Sequence, residues 1–174
     1  QILGYFIGAG DNSGRSLRFR DQRYELVEHY KKLCEDTFGI NSQISKVNGK
    51  NCYQLTLNSI AIKQLVDKIK DDLFLLVSKS TKDVVRAFIK GFTDAEGCVD
   101  KKRPRITIAQ KNEQTLNYIQ MMLLRFGIRS RLELSKRKSG QVISVLRFDN
   151  RDFYMFAREI GVTASDKREA MEQM

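Results

Sequence analysis

The sequence predicts an α+β fold made of two copies of one unit, each running helix, strands, helix, strands, helix. Three observations predict it. A nine-residue phrase is written twice, "ILGYFIGAG" at residues 2–10 and "IKGFTDAEG" at residues 89–97. The order of hydrophobic periods then repeats, alternating between a helical period and the two-residue period of strands. The offsets between equivalent positions also agree. Gly4 to Gly91 is 87 residues, Phe38-Gly39-Ile40 to Phe126-Gly127-Ile128 is 88, and "QLTLN" to "VLRFD" is 91, with the extra residues in the second hairpin turn. Matching order and spacing over a whole chain mark an internal duplication.

Each element has its own justification. The first phrase is a short apolar helix. "SLRFR" alternates, which turns Leu17 and Phe19 inward and Arg18 and Arg20 outward. "YELVEHYKKLCEDTFG" has apolar residues at helical spacing and stops at Gly39, a C-cap. "SQISKV" and "CYQLTL" flank "NGKN", a hairpin signal centred on Asn-Gly. "IAIKQLVDKIKDDL" is the third helix of the unit. In the second copy, "KDVVRAFIKGFTDAEG" is a helix, "PRITIAQ" a strand and "NEQTLNYIQMMLLRFG" a helix. "SRLELS" and "VISVLRF" pair across "KRKSG", and "RDFYMFAREIG" is the closing helix. These divisions predict a first repeat over residues 1–77, a polar linker at 78–81, a second repeat over 82–163 and a tail at 164–174.

At 174 residues and 41% apolar composition the chain can bury a core in each half. Its net charge of +10 favours a polyanionic partner, most often nucleic acid. No apolar run reaches membrane-spanning length. Cys34, Cys52 and Cys98 fit neither a zinc pattern nor a disulfide framework, which points to a reducing, intracellular and cytoplasmic setting, with an organelle as the alternative. His29 is the only histidine and sits in a polar helical stretch, so a solvated surface role is expected, and a His-centred triad or His-rich metal site has little to build with.

The repeated phrases carry the chemistry. Gly4 and Gly8 are four apart, as are Gly91 and Ala95, so one stripe of each helix is bare and two backbones can approach closely. Gly10 and Gly97 end the helices, which puts residues 9 and 96 in the last turns. A carboxylate there faces exposed carbonyls and the negative end of the helix dipole, an unfavourable arrangement without a cation. Glu96 is therefore suited to a hard divalent metal.

At these residues the chain resembles the monomeric, two-motif LAGLIDADG homing endonucleases, in their archaeal-like form. "IKGFTDAEG" is a close match to the motif and "ILGYFIGAG" a degenerate one. The resemblance covers essentially the whole chain. It implies two saddle-shaped, four-stranded antiparallel sheets covered by helices, joined at a central pair of motif helices, in a protein acting as a monomer. It implies a long, pseudo-palindromic double-stranded DNA site and cleavage with Mg2+, or another divalent cation such as Mn2+ or Ca2+. The final acid of each motif would bind metal. That acid is Glu96 in the second motif and its counterpart in the first is Ala9, with Gly8 and Ala95 immediately before them. Gln110 and Lys111 resemble polar positions near the metals. Their first-half partner is Gln22 under one gap choice and Asp21 under the other.

The outward strand faces fit DNA independently of the resemblance, since Arg, Gln and Thr suit base edges and Lys and Arg suit phosphates. The expected contacts are Arg18, Arg20, Lys46, Gln54, Thr56, Arg105, Thr107, Arg129, Arg131 and Arg147. Arg15 and Arg103 join them, as do Lys136, Arg137 and Lys138 of the "KRKSG" turn. Ala9 has three candidate origins: a deliberate Asp-to-Ala change, natural loss, or relocation of the acid to Asp11. Relocation is disfavoured because two positions is about 200° around a helix, and a single alanine among intact features favours the first. Either way, cleavage is expected to be lost or confined to nicking. An RNA-binding intron maturase and a non-catalytic DNA-binding regulator are the other functions this fold would allow.

Overall fold

The computed structural model describes residues 1–11, 16–137 and 139–174. The first half runs α1 (Ile2–Ala9), β1 (Gly10–Asp11), β2 (Leu17–Asp21), α2 (Tyr24–Phe38), β3 (Gln43–Lys46), β4 (Tyr53–Leu57), α3 (Ile60–Ile69) and α4 (Leu73–Ser78). The second runs α5 (Lys82–Glu96), β5 (Gly97–Val99), β6 (Arg105–Gln110), α6 (Glu113–Leu124), β7 (Arg131–Lys136), β8 (Val142–Asp149), α7 (Arg151–Glu159) and α8 (Ser165–Glu172). The expected duplicated α+β plan is therefore present, with two antiparallel four-stranded sheets ordered β1-β2-β4-β3 and β5-β6-β8-β7.

Local chemistry explains the boundaries. Gly39 ends α2 in the left-handed region at φ 62°, and its N–H donates to the Glu35 carbonyl. Ser59 caps α3 by accepting from the Ile62 N–H, and Asn112 caps α6 by accepting from the Gln114 N–H. Gly49, at φ 71°, turns the β3–β4 hairpin.

Each sheet buries one face. Leu17, Phe19, Leu55 and Leu57 join Leu26, Val27, Tyr30 and Cys34 in the first core. Ile106, Ile108, Leu146 and Phe148 join Phe88, Phe92, Leu116 and Phe156 in the second. Leu3 and Ile7 of α1 pack against both cores.

Two helices were not anticipated. The stretch at 60–73 breaks after Ile69, and α4 follows, with Leu73 and Val77 buried in the second core. The stretch beyond residue 163 forms α8, whose Ala170 and Met171 join the second core while Ala164, just before it, is in the first. Its polar composition hid this, because only a narrow apolar stripe is needed when one short helix fills a joint.

Candidate functional site

The two motif helices α1 and α5 cross with their small residues in contact. A Cβ built on Gly4 would lie 2.9 Å from the Phe92 amide nitrogen, and one built on Gly91 would lie 2.9 Å from that of Tyr5. A Cβ on Gly8 would lie 2.5 Å from the Ala95 Cβ and 2.8 Å from the Glu96 Cγ. The helices therefore pack backbone to backbone, and their carboxyl ends meet at the joint between the halves. Each then passes straight into the first strand of its sheet, through Gly10 at ψ 152° and Gly97 at ψ 142°. Ala9 and Glu96 are the last helical residues, as the spacing predicts.

Glu96 is the acid of this joint, and burial pushes its carboxyl above the usual carboxylate range. The Lys167 ammonium and the Arg137 guanidinium act in the opposite sense. Ala9 brings no donor beyond its backbone. Asp11 stands in β1 opposite Arg18 and lies 3.6 Å from the Arg20 guanidinium.

Beside the joint is a buried polar network. Asp94 is fully buried and accepts from the Tyr30 hydroxyl at 2.8 Å, the Thr163 N–H at 2.6 Å and the Ala164 N–H at 3.2 Å. Tyr30 stacks on Tyr5 with ring centroids 3.8 Å apart. The Tyr5 hydroxyl donates to Asp21, which also accepts from the Arg23 Nε at 2.8 Å and Nη2 at 2.7 Å. The Lys167 Nζ donates to the carbonyls of Thr93 and Asp94 at 2.8 and 2.6 Å, and burial pushes its ammonium down to about 8. Sequence reasoning missed Tyr30, Arg23, Asp94 and Lys167. Asp94 alone left a signal, as a second carboxylate within the motif.

Strand register resolves the gap choice. Gly10 pairs with Phe19 and Gly97 with Ile108, so Asp21 is the counterpart of Gln110, and Gln22 that of Lys111. Gln110 ends β6 opposite Ser144, at the Glu96 end of its sheet. Lys111 and Gln22 follow their strands and are exposed.

The outward faces carry most of the expected basic residues. In the second sheet Cys98, Thr107, Arg147 and Arg131 form one row, with Arg105 one step along the same face. Arg147 pairs with Glu133 at 2.7 Å and Arg105 with Asp149 at 3.6 Å. The Nε atoms of Arg105 and Arg147 are buried without a hydrogen-bond partner, as is the Ser130 Oγ. A cavity of about 260 Å³ lies here, lined by Arg129, Arg131, Arg147 and Asp152 among others. In the first sheet Arg18 and Thr56 face each other, and the Arg20 Nε donates to Gln54 at 2.7 Å.

Lys46 and Lys136 depart from expectation. Lys46 lies in the row of Asp21 and Tyr53, which has the parity of the buried face, and Lys136 pairs with Val142 on the equivalent side of β7. Gln43 and Ser45 hold the outward positions of β3 instead. Arg103 is in the exposed β5–β6 turn and Arg137 in the β7–β8 turn. Arg15 and Lys138 lie outside the described residues. His29 is exposed, and the three cysteines are free.

Comparison with known proteins agrees with this geometry. A model of the LAGLIDADG-like domain matches residues 1–70 and 83–161. The chain belongs to the LAGLIDADG-like domain family. It is 34% identical, over 99% of its own length, to a part of the glutamine–fructose-6-phosphate aminotransferase of Methanocaldococcus jannaschii. It is 28% identical over 97% to a part of a probable translation initiation factor of Thermococcus kodakarensis, and 25% over 99% to a part of the replicative DNA helicase of Synechocystis. It spans only 17%, 15% and 23% of these relatives. Among solved structures it superposes on the homing endonuclease I-DmoI in complex with DNA and Ca with a TM-score of 0.74, at 22% identity, covering 99% of this chain and 95% of that one. The N-terminal LAGLIDADG domain of DUF199/WhiA superposes with a TM-score of 0.64 at 15% identity, covering 94% and 80%.

Proposed function

We propose that this chain recognises a long, pseudo-palindromic double-stranded DNA site as a monomer, and that its strand cleavage is lost or confined to one strand. The observation that carries the reading is the joint itself. Gly8 packs against Glu96, so the carboxyl ends of both motif helices converge between two sheets whose outer faces carry arginines. The orphaned Nε atoms of Arg105 and Arg147 support a ligand on that face. The I-DmoI structures solved with DNA and with Mn, Ca or Mg support duplex DNA and a divalent metal as the partners.

The residues fit such a metal in one specific way. Among the described residues no group of three or more His, Cys, Asp or Glu could hold a metal ion by itself. A single carboxylate with water and substrate phosphate oxygens is nevertheless an ordinary Mg2+ environment, and Glu96 with the Gly8 and Ala95 backbone at its side provides the protein's part. When bound, the ion would activate water and neutralise charge on the phosphate. Glu96 would hold it, Gln110 would orient polar groups beside it, and Lys111 and its counterpart Gln22 would face the scissile phosphates. Ala9 removes the ligand that the second strand needs. The relatives are named for unrelated activities and each matches this chain over a quarter or less of its length. That pattern supports a mobile module carried by different hosts, of the intron or intein kind.

The test begins with selection of duplexes bound by the chain, in competition with structured RNA at matched salt. A supercoiled plasmid bearing the winning site is then incubated with Mg2+. The expected products are uncut or nicked circles, with linear DNA from Ala9→Asp. Efficient linearisation by the unaltered chain would overturn the impairment, and preference for RNA would overturn the DNA reading.

A further inference from the structure

We infer that Lys167, carried by the C-terminal helix α8, is a positioning residue for Glu96. The inference rests on reading Glu96 as the metal-holding carboxylate. A carboxylate in the last turn of a helix is repelled by the helix end and loosens that turn. A cation is needed there, and the protein supplies one. The Lys167 ammonium, on a residue only 8% exposed, bonds the Thr93 carbonyl at 2.8 Å and the Asp94 carbonyl at 2.6 Å. The Thr93 carbonyl also accepts the N–H of Gly97, so Lys167 fastens the same turn that carries Glu96. The Arg23 Nη2 adds a third bond, to the Asp94 carbonyl at 3.0 Å.

The ammonium is delivered by a strap anchored to both halves. Thr163 accepts from the Gln1 side chain at 2.7 Å, and its N–H donates to Asp94. Ser165 donates to Glu25 at 3.1 Å, and Asp166 meets Arg23 at 3.3 Å. Gln1, Arg23 and Glu25 tie it to the first repeat, and Thr93 and Asp94 tie it to the end of α5. Ala170 and Met171, further along α8, pack into the second core, while the family match ends at residue 161. A general cap for α5 would need no such anchoring. The geometry instead fixes one charge at one helix end, beside one carboxylate.

The experiment uses the full chain as Lys167→Met and Lys167→Arg, with two readouts in metal-free and Mn2+-titrated protein. Exchange of the Gly97 amide should be about tenfold faster in Lys167→Met, with amides of the two cores unchanged. Mn2+ broadening of resonances from residues 95–98 should need about tenfold more metal. Lys167→Arg should restore both. The sign is diagnostic, because deleting a neighbouring cation by itself would tighten Mn2+ binding. A folded Lys167→Met with unchanged exchange, or with equal or tighter Mn2+ binding, overturns the inference. Should Lys167→Met not fold, Lys167→Ala, which removes the donor without burying a long apolar side chain, takes the same measurements with the same criteria. If the unaltered chain shows no Mn2+ effect at residues 95–98, the metal reading of Glu96 fails, and the exchange comparison still decides the role of Lys167.

Discussion

Gly91 of α5 lies so close to Tyr5 of α1 that a methyl group on it would sit 2.9 Å from the Tyr5 amide nitrogen. The atom opposed is backbone, which cannot rotate away. Gly91→Ala and Gly4→Ala should each force the motif helices apart and lower stability by about 1–3 kcal/mol or more. Urea unfolding should show a lower midpoint with an unchanged slope. Gly140→Ala, with nothing within 4 Å, would test backbone strain without a clash.

The Tyr30–Asp94 bond gives a second expectation. A hydrogen bond to a buried charge contributes about 1.5–3 kcal/mol, so Tyr30→Phe should destabilise by that amount. Asp94→Asn should also destabilise. Its amide oxygen can still accept from the Thr163 and Ala164 N–H groups, but its NH2 then meets the Tyr30 hydroxyl, which must accept instead of donate. The charge-assisted character of all three bonds is lost. Equal melting temperatures for Asp94→Asn and the unaltered chain would contradict the network.

Glu96 predicts a pH dependence. Its folded-state carboxyl is raised above 4.5 by burial, so the native state binds a proton more readily than the unfolded chain does. Its contribution is fully present below pH 4.5 and is lost as pH rises through the folded value. Glu96→Gln should therefore melt higher than the unaltered chain at pH 7 in the presence of a chelator, and the difference should vanish near pH 4. A variant that melts lower at pH 7 would reverse the assigned sign.

On the second sheet, Arg147 is held by Glu133 at 2.7 Å. Arg147→Ala should weaken duplex binding and reduce the salt slope by about 1 if it meets a phosphate. Glu133→Gln should tighten binding, because the acid both repels DNA and occupies the guanidinium. Affinity measured across a salt series checks both.

The duplicated architecture was legible because the strands β2 and β6 alternate cleanly and each phrase ends in glycine. Leu17 and Phe19 point inward, Ala9 and Glu96 close their helices, and Gly39 caps α2, all as their local chemistry dictates. Lys46 escaped because strand parity must be counted from a paired neighbour, and the hairpin hid where β3 begins. The choice between Asp21 and Gln22 likewise needed register, which only pairing across β1 and β2 supplies. Lys167 was invisible for a different reason. A lysine in a polar stretch reads as solvated, and its burial arises from a contact spanning more than 70 residues of chain.

Because the stretch from Thr163 to Lys167 holds Gln1, Arg23 and Glu25 on one side and the end of α5 on the other, the two repeats are not interchangeable parts. A chimera that joins the first repeat of this chain to the second repeat of a relative inherits whatever tail the relative carries. That tail then meets a foreign Gln1, Arg23 and Glu25, and the Asp94 equivalent meets a foreign Tyr30. Recombination between such proteins would have to move the tail and the first repeat together, and a matched pair of those two segments is the smallest unit that can be exchanged without opening the joint.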